Sequence, residues 1–360
     1  MQERITGFDF ARSLALLGMI IVNFTVVMNP EIGSTALLSL TQLLQGRASA
    51  LFVIIAGIGV TLSSNKSRLS NDTLAICCAR SKLIRRALLM IVVGLLFTVI
   101  WEGDILVFYG FYFLFAASLF TKSNHTLLFA CVVLVLLFPL LLMFFDYEKN
   151  WDWSTLTYTD LWSAEGLIRR IFFNGFHPVL PWTAFVIFGM WLARQNLADT
   201  KIRQTLLKCS LALFSCTELG CYLLNTMYVK YLSNESSMES SVFLFSTAAI
   251  PPLPQYMASA GSFSVIVIIS SLYICERFSE SRFRHWICQT GRLTLTLYIS
   301  HVIVGLGVLE YLGLLENQTI DFALLAAAIF FVAAIVFSTI WLKYFRTGPL
   351  EYLFNRIVAL

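Results

Sequence analysis

The sequence predicts an all-α polytopic membrane protein with about ten transmembrane helices and both termini in the cytoplasm. Three observations lead to this class: 58% of the 360 residues are hydrophobic, only 13% are charged, and the mean hydropathy is +0.78. Soluble domains carry about twice that share of charged residues. The composition therefore excludes a soluble globular enzyme, a disordered chain and a nucleic-acid-binding domain. We expect a single transmembrane domain over residues 1–360.

Ten apolar runs are candidates for membrane-spanning helices, which need about 20 residues each. The shortest runs must extend into flanking polar residues to cross. In chain order the predicted spans are Phe8–Val27, Ala48–Leu62, Ala87–Trp101, Ile105–Phe120, Leu127–Phe145, Val179–Ala193, Cys209–Met227, Phe263–Cys275, Leu293–Leu312 and Phe322–Leu342.

The positions of the basic residues predict the orientation of these spans. With the N-terminus inside, 20 of the 25 Lys and Arg residues fall on inner segments and only five on outer ones. Cytoplasmic loops are the ones enriched in Lys and Arg. This bias places both termini in the cytoplasm and favours an even number of spans.

Two outer segments differ from ordinary loops. Thr35–Gln45 is apolar but short, and it is expected to lie along the outer interface. Asp146–Pro181 is long and rich in Trp, Tyr and Phe. It is either an aromatic belt at the membrane surface or a lid or acceptor-binding surface.

Polar residues in the first predicted span are the clearest functional candidates, since a charge at the bilayer centre costs about 2.5–3.5 kcal/mol on insertion scales. Asp9 and Arg12 are three residues apart and share a helix face. Arg12 and Asn23 are eleven residues apart, which is about three turns and about 16 Å along one stripe. The alternative is a snorkelling ion pair together with an interhelical hydrogen bond from Asn23.

Two histidines are candidates for a general base. The ninth span places Thr294, Tyr298 and His301 on one face, with His301 near mid-membrane. The near-neutral pKa of histidine suits proton transfer, although a lone buried histidine also serves as a partner for a neighbouring helix. His177 lies at the outer mouth of the sixth span, where it either takes part in the reaction or is inert.

Charged residues at the predicted outer face suggest contacts with a second substrate. Glu102 and Asp104 lie in the turn between the third and fourth spans, where paired acids either orient an acceptor or are simply solvated. Arg47 opens the second span from the outside, against the positive-inside trend, which indicates a bound anion or an ion pair. The eight cysteines and four histidines form no metal-ligand motif, so no metal cofactor is expected.

Five segments resemble the YeiB-type family of bacterial membrane proteins. They keep the order of that family and are spread over nearly the whole chain. In the first segment, Asp9, Arg12 and Asn23 hold the family's relative places. The five segments are Gly7–Asn23, Gly46–Phe52 followed by Gly57, Gly103–Tyr109, Gly291–Tyr298, and Phe345–Glu351 with Arg356.

The YeiB-type family in turn resembles the transmembrane acyltransferase superfamily, which includes heparan-α-glucosaminide N-acetyltransferase. That resemblance implies about ten helices and acetyl transfer from cytosolic acetyl-CoA to a sugar on the far side of the membrane. It matches Asn23 to a residue implicated in catalysis. The heparan enzyme also has an essential histidine about a dozen residues after that asparagine, whereas Phe24–Thr35 contains none. A different histidine must then act, and His301 matches one in a late helix of that enzyme.

The leading hypothesis is therefore a membrane acyltransferase that moves an acyl group, expected to be acetyl, from cytosolic acyl-CoA to an extracytoplasmic glycan or lipid head group. Asn23 would stabilise the developing negative charge, and His301 or His177 would take the proton of the acceptor. The predicted donor-binding residues are Asp9, Arg12 and Arg292, and the predicted acceptor-binding residues are Arg47, Glu102, Asp104 and Tyr298.

The expected partners are membrane lipids, acyl-CoA as donor substrate, and the glycan or lipid acceptor, without nucleic acid. Assembly as a homodimer is left open, and the expected location is the cytoplasmic (inner) membrane of a bacterium. Two other functions remain open from the sequence. One is a small-molecule transporter or flippase without chemistry, and the other is a membrane scaffold for envelope assembly.

Overall fold

The computed structural model describes residues 5–30, 32–70, 72–153, 155–232 and 244–359. Arg4, which belongs to the predicted inner basic residues, lies outside these ranges. In the described residues a two-stranded antiparallel ribbon is the only sheet, and it pairs Trp151 with Tyr158 and Asp152 with Thr157. Helices make up nearly all the remaining regular structure.

The elements follow the apolar runs closely, with short helices between some of them. In chain order they are α1 (Thr6–Met28), α2 (Thr35–Leu44), α3 (Arg47–Leu69), α4 (Thr73–Thr98), α5 (Leu106–Leu119), α6 (Asn124–Leu142), β1 (Trp151–Asp152), β2 (Thr157–Tyr158), α7 (Ala164–Arg169), the π-helix π1 (Arg170–Asn174), α8 (Val179–Leu192), α9 (Thr200–Leu232), α10 (Pro254–Arg277), α11 (Arg282–Thr290), α12 (Thr294–Ser300), the π-helix π2 (His301–Leu306), α13 (Gly307–Tyr311), α14 (Ile320–Tyr344) and α15 (Pro349–Ala359).

The chain divides into two compact units, and the boundaries between them fall inside α3 and α10. Unit 1 comprises Met1–Phe52 and Ser264–Leu360, and unit 2 comprises Val53–Phe263. In unit 1, α1 packs against α14, α11 and α12, and α15 packs against α12. In unit 2, α8 packs against α5 and α6, and α4 packs along α5. The expectation of one transmembrane domain stays a prediction.

A close helix crossing in unit 2 depends on glycine. A Cβ atom added to Gly57 would lie 2.0 Å from the carbonyl oxygen of Val186, and one added to Gly189 would lie 2.0 Å from that of Ile54. Any side chain would therefore separate α3 from α8. The hydroxyl of Thr61 donates to the carbonyl of Met190 at 3.0 Å, one turn further along the same contact. Small residues allow helix backbones to approach in this way in membrane proteins.

Large apolar side chains point outward from several helices, which is the reverse of a soluble protein. Phe129 on α6 is 70% exposed, and Ile329 on α14 is 61% exposed. In the described part of the chain, seven helical segments are long and apolar enough to cross a membrane. An eighth is reached if Ala164–Asn174 and Val179–Leu192, which meet at a 48° bend, form one broken span. The protein is a multi-pass, all-α membrane protein.

Every predicted apolar run overlaps a helix, but ten crossings and the cytoplasmic termini stay predictions. Helix α5, with 14 residues, is shorter than a typical span. Helix α4 is long, but four basic residues lie between its eighth and fourteenth positions: Arg80, Lys82, Arg85 and Arg86. Hydropathy also misplaced some ends: α10 begins at Pro254, nine residues before the predicted Phe263, because Gln, Ser and Gly continue the helix without adding hydropathy.

The orientation can be tested by labelling engineered cysteines from outside the cell. In a protein with its native cysteines removed, a membrane-impermeant thiol reagent should modify Thr155→Cys, in the predicted outer segment, and leave Ser70→Cys unmodified. The reason is the excess of basic residues on the predicted inner segments. Permeabilised cells are the control, since both positions should then react. Labelling of Ser70→Cys alone in intact cells would reverse the predicted orientation.

Candidate active site

The inner part of the predicted stripe on α1 is an ion pair. Arg12 Nη1 lies 2.8 Å from Asp9 Oδ1, and the Asp9 side chain is almost fully buried. A buried carboxylate is costly unless it is paired, so this contact explains how Asp9 is accommodated near the start of α1. Asp9 also lies in the first helical turn, where the helix dipole favours a negative charge. The expected shared face of the two residues is confirmed.

The outer part of the stripe meets a residue 278 positions away in the sequence. Asn23 Nδ2 lies 2.8 Å from His301 Nε2, and His301 is fully buried. The face that carries Asn23 on α1 therefore meets the face that carries His301 at the start of π2. The alternative weighed from sequence, an interhelical hydrogen bond from Asn23, is thus present, and its partner is the candidate base itself.

The hydrogen bonds of His301 define which ring nitrogen carries the proton. His301 Nδ1 is hydrogen-bonded to the carbonyl oxygen of Tyr298. A carbonyl oxygen only accepts, so Nδ1 must be the protonated nitrogen. In a neutral imidazole the other nitrogen, Nε2, then has a free electron pair, and the amide of Asn23 donates to it. The imidazole thus points its basic nitrogen at Asn23.

The helix changes its winding at His301. Residues Thr294–Ser300 are α-helical, and His301–Leu306 form a π-helix before the α-helix resumes at Gly307. π-Segments are rare and occur frequently at functional sites, because they shift the side chains that follow out of α-helical register. Tyr298, one turn before His301, is buried, and the two ring centroids are 5.1 Å apart.

Aromatic rings pack next to the residues that flank the Asn23–His301 pair within unit 1. Phe24, next to Asn23, is 1% exposed and packs against Phe330 with a centroid distance of 6.2 Å. Gly305 in π2 lies against both rings, since a Cβ there would approach Phe24 Cζ to 2.9 Å and Phe330 Cδ2 to 3.1 Å. These packed rings fix the backbone of α1 and π2 beside the pair.

The predicted donor-binding residues cluster at one end of unit 1. Gly291 touches the first turn of α1: a Cβ on Gly291 would lie 1.8 Å from the carbonyl oxygen of Asp9. Arg292 follows directly, and its Nη2 donates to the carbonyl oxygen of Arg346 at 2.8 Å. Asp9, Arg12 and Arg292 therefore lie at the same end of unit 1, and their assignment to donor binding stays a prediction.

Arg47 is the first residue of α3, and its side chain is held by the helix before it. Arg47 is 3% exposed, and its Nη1 donates to the carbonyl oxygen of Leu43 at 3.0 Å, at the end of α2. This bond ties the start of α3 to the preceding helix. Its assignment to acceptor binding stays a prediction.

The remaining predicted residues lie in unit 2 and have structural partners there. Asp104 is buried, and its Oδ2 accepts from the backbone nitrogens of Leu106 at 2.9 Å and Val107 at 3.3 Å, so it caps the N-terminus of α5. Glu102 Oε2 accepts from the backbone nitrogen of Tyr158 at 3.2 Å. Both acids therefore help to order this region, and a role in acceptor binding stays a prediction.

His177 lies in unit 2 among aromatic rings. Its carbonyl oxygen accepts a 2.6 Å hydrogen bond from the hydroxyl of Tyr112. Its imidazole lies edge-on to Trp182, with centroids 4.7 Å apart, and near Phe108. Its Nδ1 is buried, and no hydrogen-bond partner for it is found in the described residues. The structure thus gives His177 an aromatic setting, in contrast to the bonded pair at His301.

The aromatic segment that is predicted to lie outside is a folded structure rather than an extended loop. Trp151 stacks on Trp153 with centroids 4.7 Å apart, and its indole nitrogen donates to the carbonyl of Asn174 at 2.6 Å. Burial raises the pKa of Tyr158, whose hydroxyl donates to Asn174 Oδ1 at 3.1 Å. An ordered segment of this kind suits both predicted roles, an aromatic belt at the membrane surface and a lid or acceptor-binding surface.

Sequence reasoning missed two carboxylates that the structure brings into contact with other elements. Glu351 bonds to the start of α12, and its only sequence signal was its place in the C-terminal segment. Glu218 lies inside a predicted span and accepts from the hydroxyls of Ser259 at 2.5 Å and Thr247 at 2.9 Å. The position of Glu218, a carboxylate within an apolar run, was enough to mark it as a candidate from the sequence.

In the residues described, no group of three or more His, Cys, Asp or Glu side chains could hold a metal ion.

Two family models match this chain, one over its N-terminal part and one over its C-terminal part. A family model described as heparan-alpha-glucosaminide N-acetyltransferase, catalytic, matches residues 4–227, and one described as protein of unknown function DUF418 matches residues 191–360. The Escherichia coli (strain K12) protein described as uncharacterized protein YeiB is 25% identical over 394 aligned positions, which cover 99% of this chain and 96% of that protein. Asn23 falls in the first matched region and His301 in the second. The chain therefore belongs to the heparan-alpha-glucosaminide N-acetyltransferase catalytic family, as a YeiB-type membrane protein.

Proposed function

We propose that this protein is an acyltransferase that moves an acyl group, acetyl in the first instance, from cytosolic acyl-CoA to a glycan or lipid head group outside the inner membrane of a bacterium. The observation that carries the proposal is the 2.8 Å contact between Asn23 Nδ2 and Nε2 of the fully buried His301. A base and an amide donor side by side are the two groups that acyl transfer needs.

The geometry supports a direct transfer from thioester to acceptor. The acceptor hydroxyl or amine gives its proton to His301 Nε2 while its oxygen or nitrogen attacks the thioester carbon. The amide of Asn23, released from Nε2, donates to the carbonyl oxygen, which carries the negative charge of the tetrahedral intermediate. When the carbon–sulfur bond breaks, the imidazolium returns the proton to the CoA sulfur. The products are the acylated acceptor and CoA with a free thiol.

The hydrogen bond from His301 Nδ1 to the carbonyl of Tyr298 supports this role for the ring. It keeps the proton on Nδ1 and the electron pair on Nε2, and it stabilises the imidazolium that forms during the attack. The same logic orients catalytic histidines in other enzymes, in which a second group binds the nitrogen that does not react.

Acetyl-CoA labelled with carbon-14 in the acetyl group tests the proposal. Purified protein in liposomes would be given labelled acetyl-CoA at the inner face and envelope glycans and lipids as acceptors. We expect covalent label in an acceptor, and its loss in the Asn23→Ala/His301→Ala double variant. A transporter would instead move an intact solute without forming a new bond. Failure to bind acetyl-CoA, together with no labelled product, would refute the proposal.

The donor end can be tested without turnover. We expect Asp9→Asn with Arg12→Gln to weaken acetyl-CoA binding by roughly ten- to a hundredfold, because a hydrogen bond to a charged group is worth about 1.5–3 kcal/mol. Removing both charges together avoids a buried, unpaired Asp9. Titration calorimetry would measure the affinity, and Lys208→Ala, an exposed basic residue on α9, is the matched control. Unchanged affinity in the double variant would place the donor phosphates elsewhere.

A further inference from the structure

The helix that carries His301 begins without a cap of its own. The first turn of an α-helix leaves backbone N–H groups without partners inside the helix. The residue at the N-cap position of α12, Leu293, makes no side-chain hydrogen bond to them. These donors are instead satisfied by a residue more than 50 positions further along the chain, in α15.

Glu351 supplies that cap with both carboxylate oxygens. Its Oε1 accepts from the backbone nitrogens of Leu295 at 2.8 Å and Thr296 at 3.1 Å. Its Oε2 accepts from the hydroxyl of Thr296 at 2.6 Å. The hydroxyl of Thr296 accepts in turn from the backbone nitrogen of Leu350 at 3.1 Å. Four hydrogen bonds thus join the start of α12 to the first turn of α15.

The segment just before α15 is shaped to allow this contact. A Cβ on Gly348 would lie 2.1 Å from Glu351 Oε2 and 3.0 Å from Leu293 Cγ, so a side chain there would displace the carboxylate. Arg292 adds a bond to the carbonyl of Arg346. We call residues 346–351, with their contacts to residues 292–296, the C-terminal clasp.

The clasp lies on the same continuous helical segment as the candidate base. Thr296 is five residues before His301, and Tyr298, which bonds His301 Nδ1, lies between them. In an α-helix, a shift of one residue moves a side chain by about 1.5 Å along the axis and turns it by about 100°. Either change would break the 2.8 Å contact between His301 and Asn23.

We propose that Glu351 is a positioning residue, which holds α12 in the register that places His301 Nε2 against Asn23. Only the expected change in the rate of acyl transfer rests on the proposed function. The position of the imidazole can be measured whether or not the protein transfers acyl groups. The charge of Glu351 is not itself required, because an amide oxygen accepts the same two backbone N–H groups.

Three variants separate position from charge. Glu351→Ala removes the cap. Glu351→Gln keeps an oxygen for the backbone donors and an amide that can donate to the hydroxyl of Thr296. The control is Glu310→Ala, an exposed carboxylate on α13 at the other end of the same helical segment. Because misplacement of a catalytic group by 1 Å can cost about 10²-fold, we expect Glu351→Ala to lower kcat by up to about 100-fold with little change in KM for acetyl-CoA.

The second readout is nitrogen-15 NMR of histidine-labelled protein in lipid bilayers, with the His301 signals assigned by His301→Gln. We expect the Nε2 signal of His301 to move in Glu351→Ala and to stay in place in Glu351→Gln and Glu310→Ala. An unmoved signal in Glu351→Ala would overturn the proposal. So would a Glu351→Gln variant as impaired as Glu351→Ala, because the carboxylate would then act through its charge.

The two readouts also separate the inference from the proposed function. If the wild-type protein transfers no acyl group while the His301 signal moves only in Glu351→Ala, the acyltransferase proposal fails and the positioning role stands. If Glu351→Ala does not fold, Glu351→Gln with Thr296→Val removes both contacts of the Thr296 hydroxyl and keeps an oxygen for the two backbone N–H groups. A partial shift of the His301 signal is then the supporting result, and an unchanged signal is the contrary one.

Discussion

His301→Ala is expected to lower the turnover number for acyl transfer by about 10²–10⁴-fold, the usual cost of losing a general base. We expect this loss because Nε2 of the buried His301 carries the electron pair that would take the acceptor proton, and it lies beside Asn23. Binding of acetyl-CoA should survive, because the donor end on Asp9 and Arg12 is about three to four helical turns away along α1. Turnover and affinity would be measured separately, by product formation and by titration.

Two other histidines serve as controls for this prediction. His285→Ala removes an exposed histidine on α11 and should leave turnover unchanged. His177→Ala, in the aromatic surroundings of unit 2, should act mainly by raising the acceptor concentration that is required. Near-wild-type turnover in His301→Ala, with an inactive His177→Ala, would transfer the role of base to His177. Full activity in both His301→Ala and His177→Ala would exclude a histidine as the general base.

Asn23→Ala is expected to lower kcat by about 10²–10³-fold, as loss of an oxyanion donor does in other acyl-transfer enzymes. The amide of Asn23 donates in the resting site to His301 Nε2, and in the transition state it would donate to the carbonyl oxygen. Asn23→Asp should be as impaired as Asn23→Ala, because a carboxylate of the same shape cannot donate. Single-turnover kinetics with labelled acetyl-CoA would measure the chemical step.

The double variant Asn23→Ala/His301→Ala gives the sharpest test of a shared role. Residues that act as a unit show strongly non-additive effects, so the double variant should be little slower than His301→Ala alone. Ser13→Ala, which removes a buried hydroxyl from the same helix, is the matched control and should keep full activity. Additive losses in the double variant would mean that the two side chains act in different steps.

Sequence patterns predicted much of the fold because they depend on local properties. Hydropathy identified a helix at every apolar run, since the cost of burying a polar backbone in lipid makes helices the natural structure there. The three-residue spacing of Asp9 and Arg12 was enough to predict their contact. The short helices α11 and α15 were not predicted, because they are amphipathic segments outside the apolar runs.

The candidate site was only partly predictable. Each side chain could be placed on a face: Asn23 on the stripe of the first span, and Tyr298 with His301 on that of the ninth. The family resemblance marked Asn23, and the missing histidine after it directed attention to His301. The contact between the Asn23 face and the His301 face depends on how α1 packs against the α12–π2 segment. The spacing of residues within either segment does not encode that packing.

The sequence by itself determined the membrane class, the approximate helix positions, the ion pair on α1 and the residues that could take part in chemistry. All of these follow from interactions between residues close together in the chain. Only the tertiary structure decided that Asn23 bonds His301, that a π-helix begins at that histidine, and that Glu351 caps the helix that carries it. The two hydrogen-bonded contacts join residues 278 positions apart (Asn23 and His301) and 56 positions apart (Leu295 and Glu351). Such pairings arise from the packing of whole helices rather than from local preference.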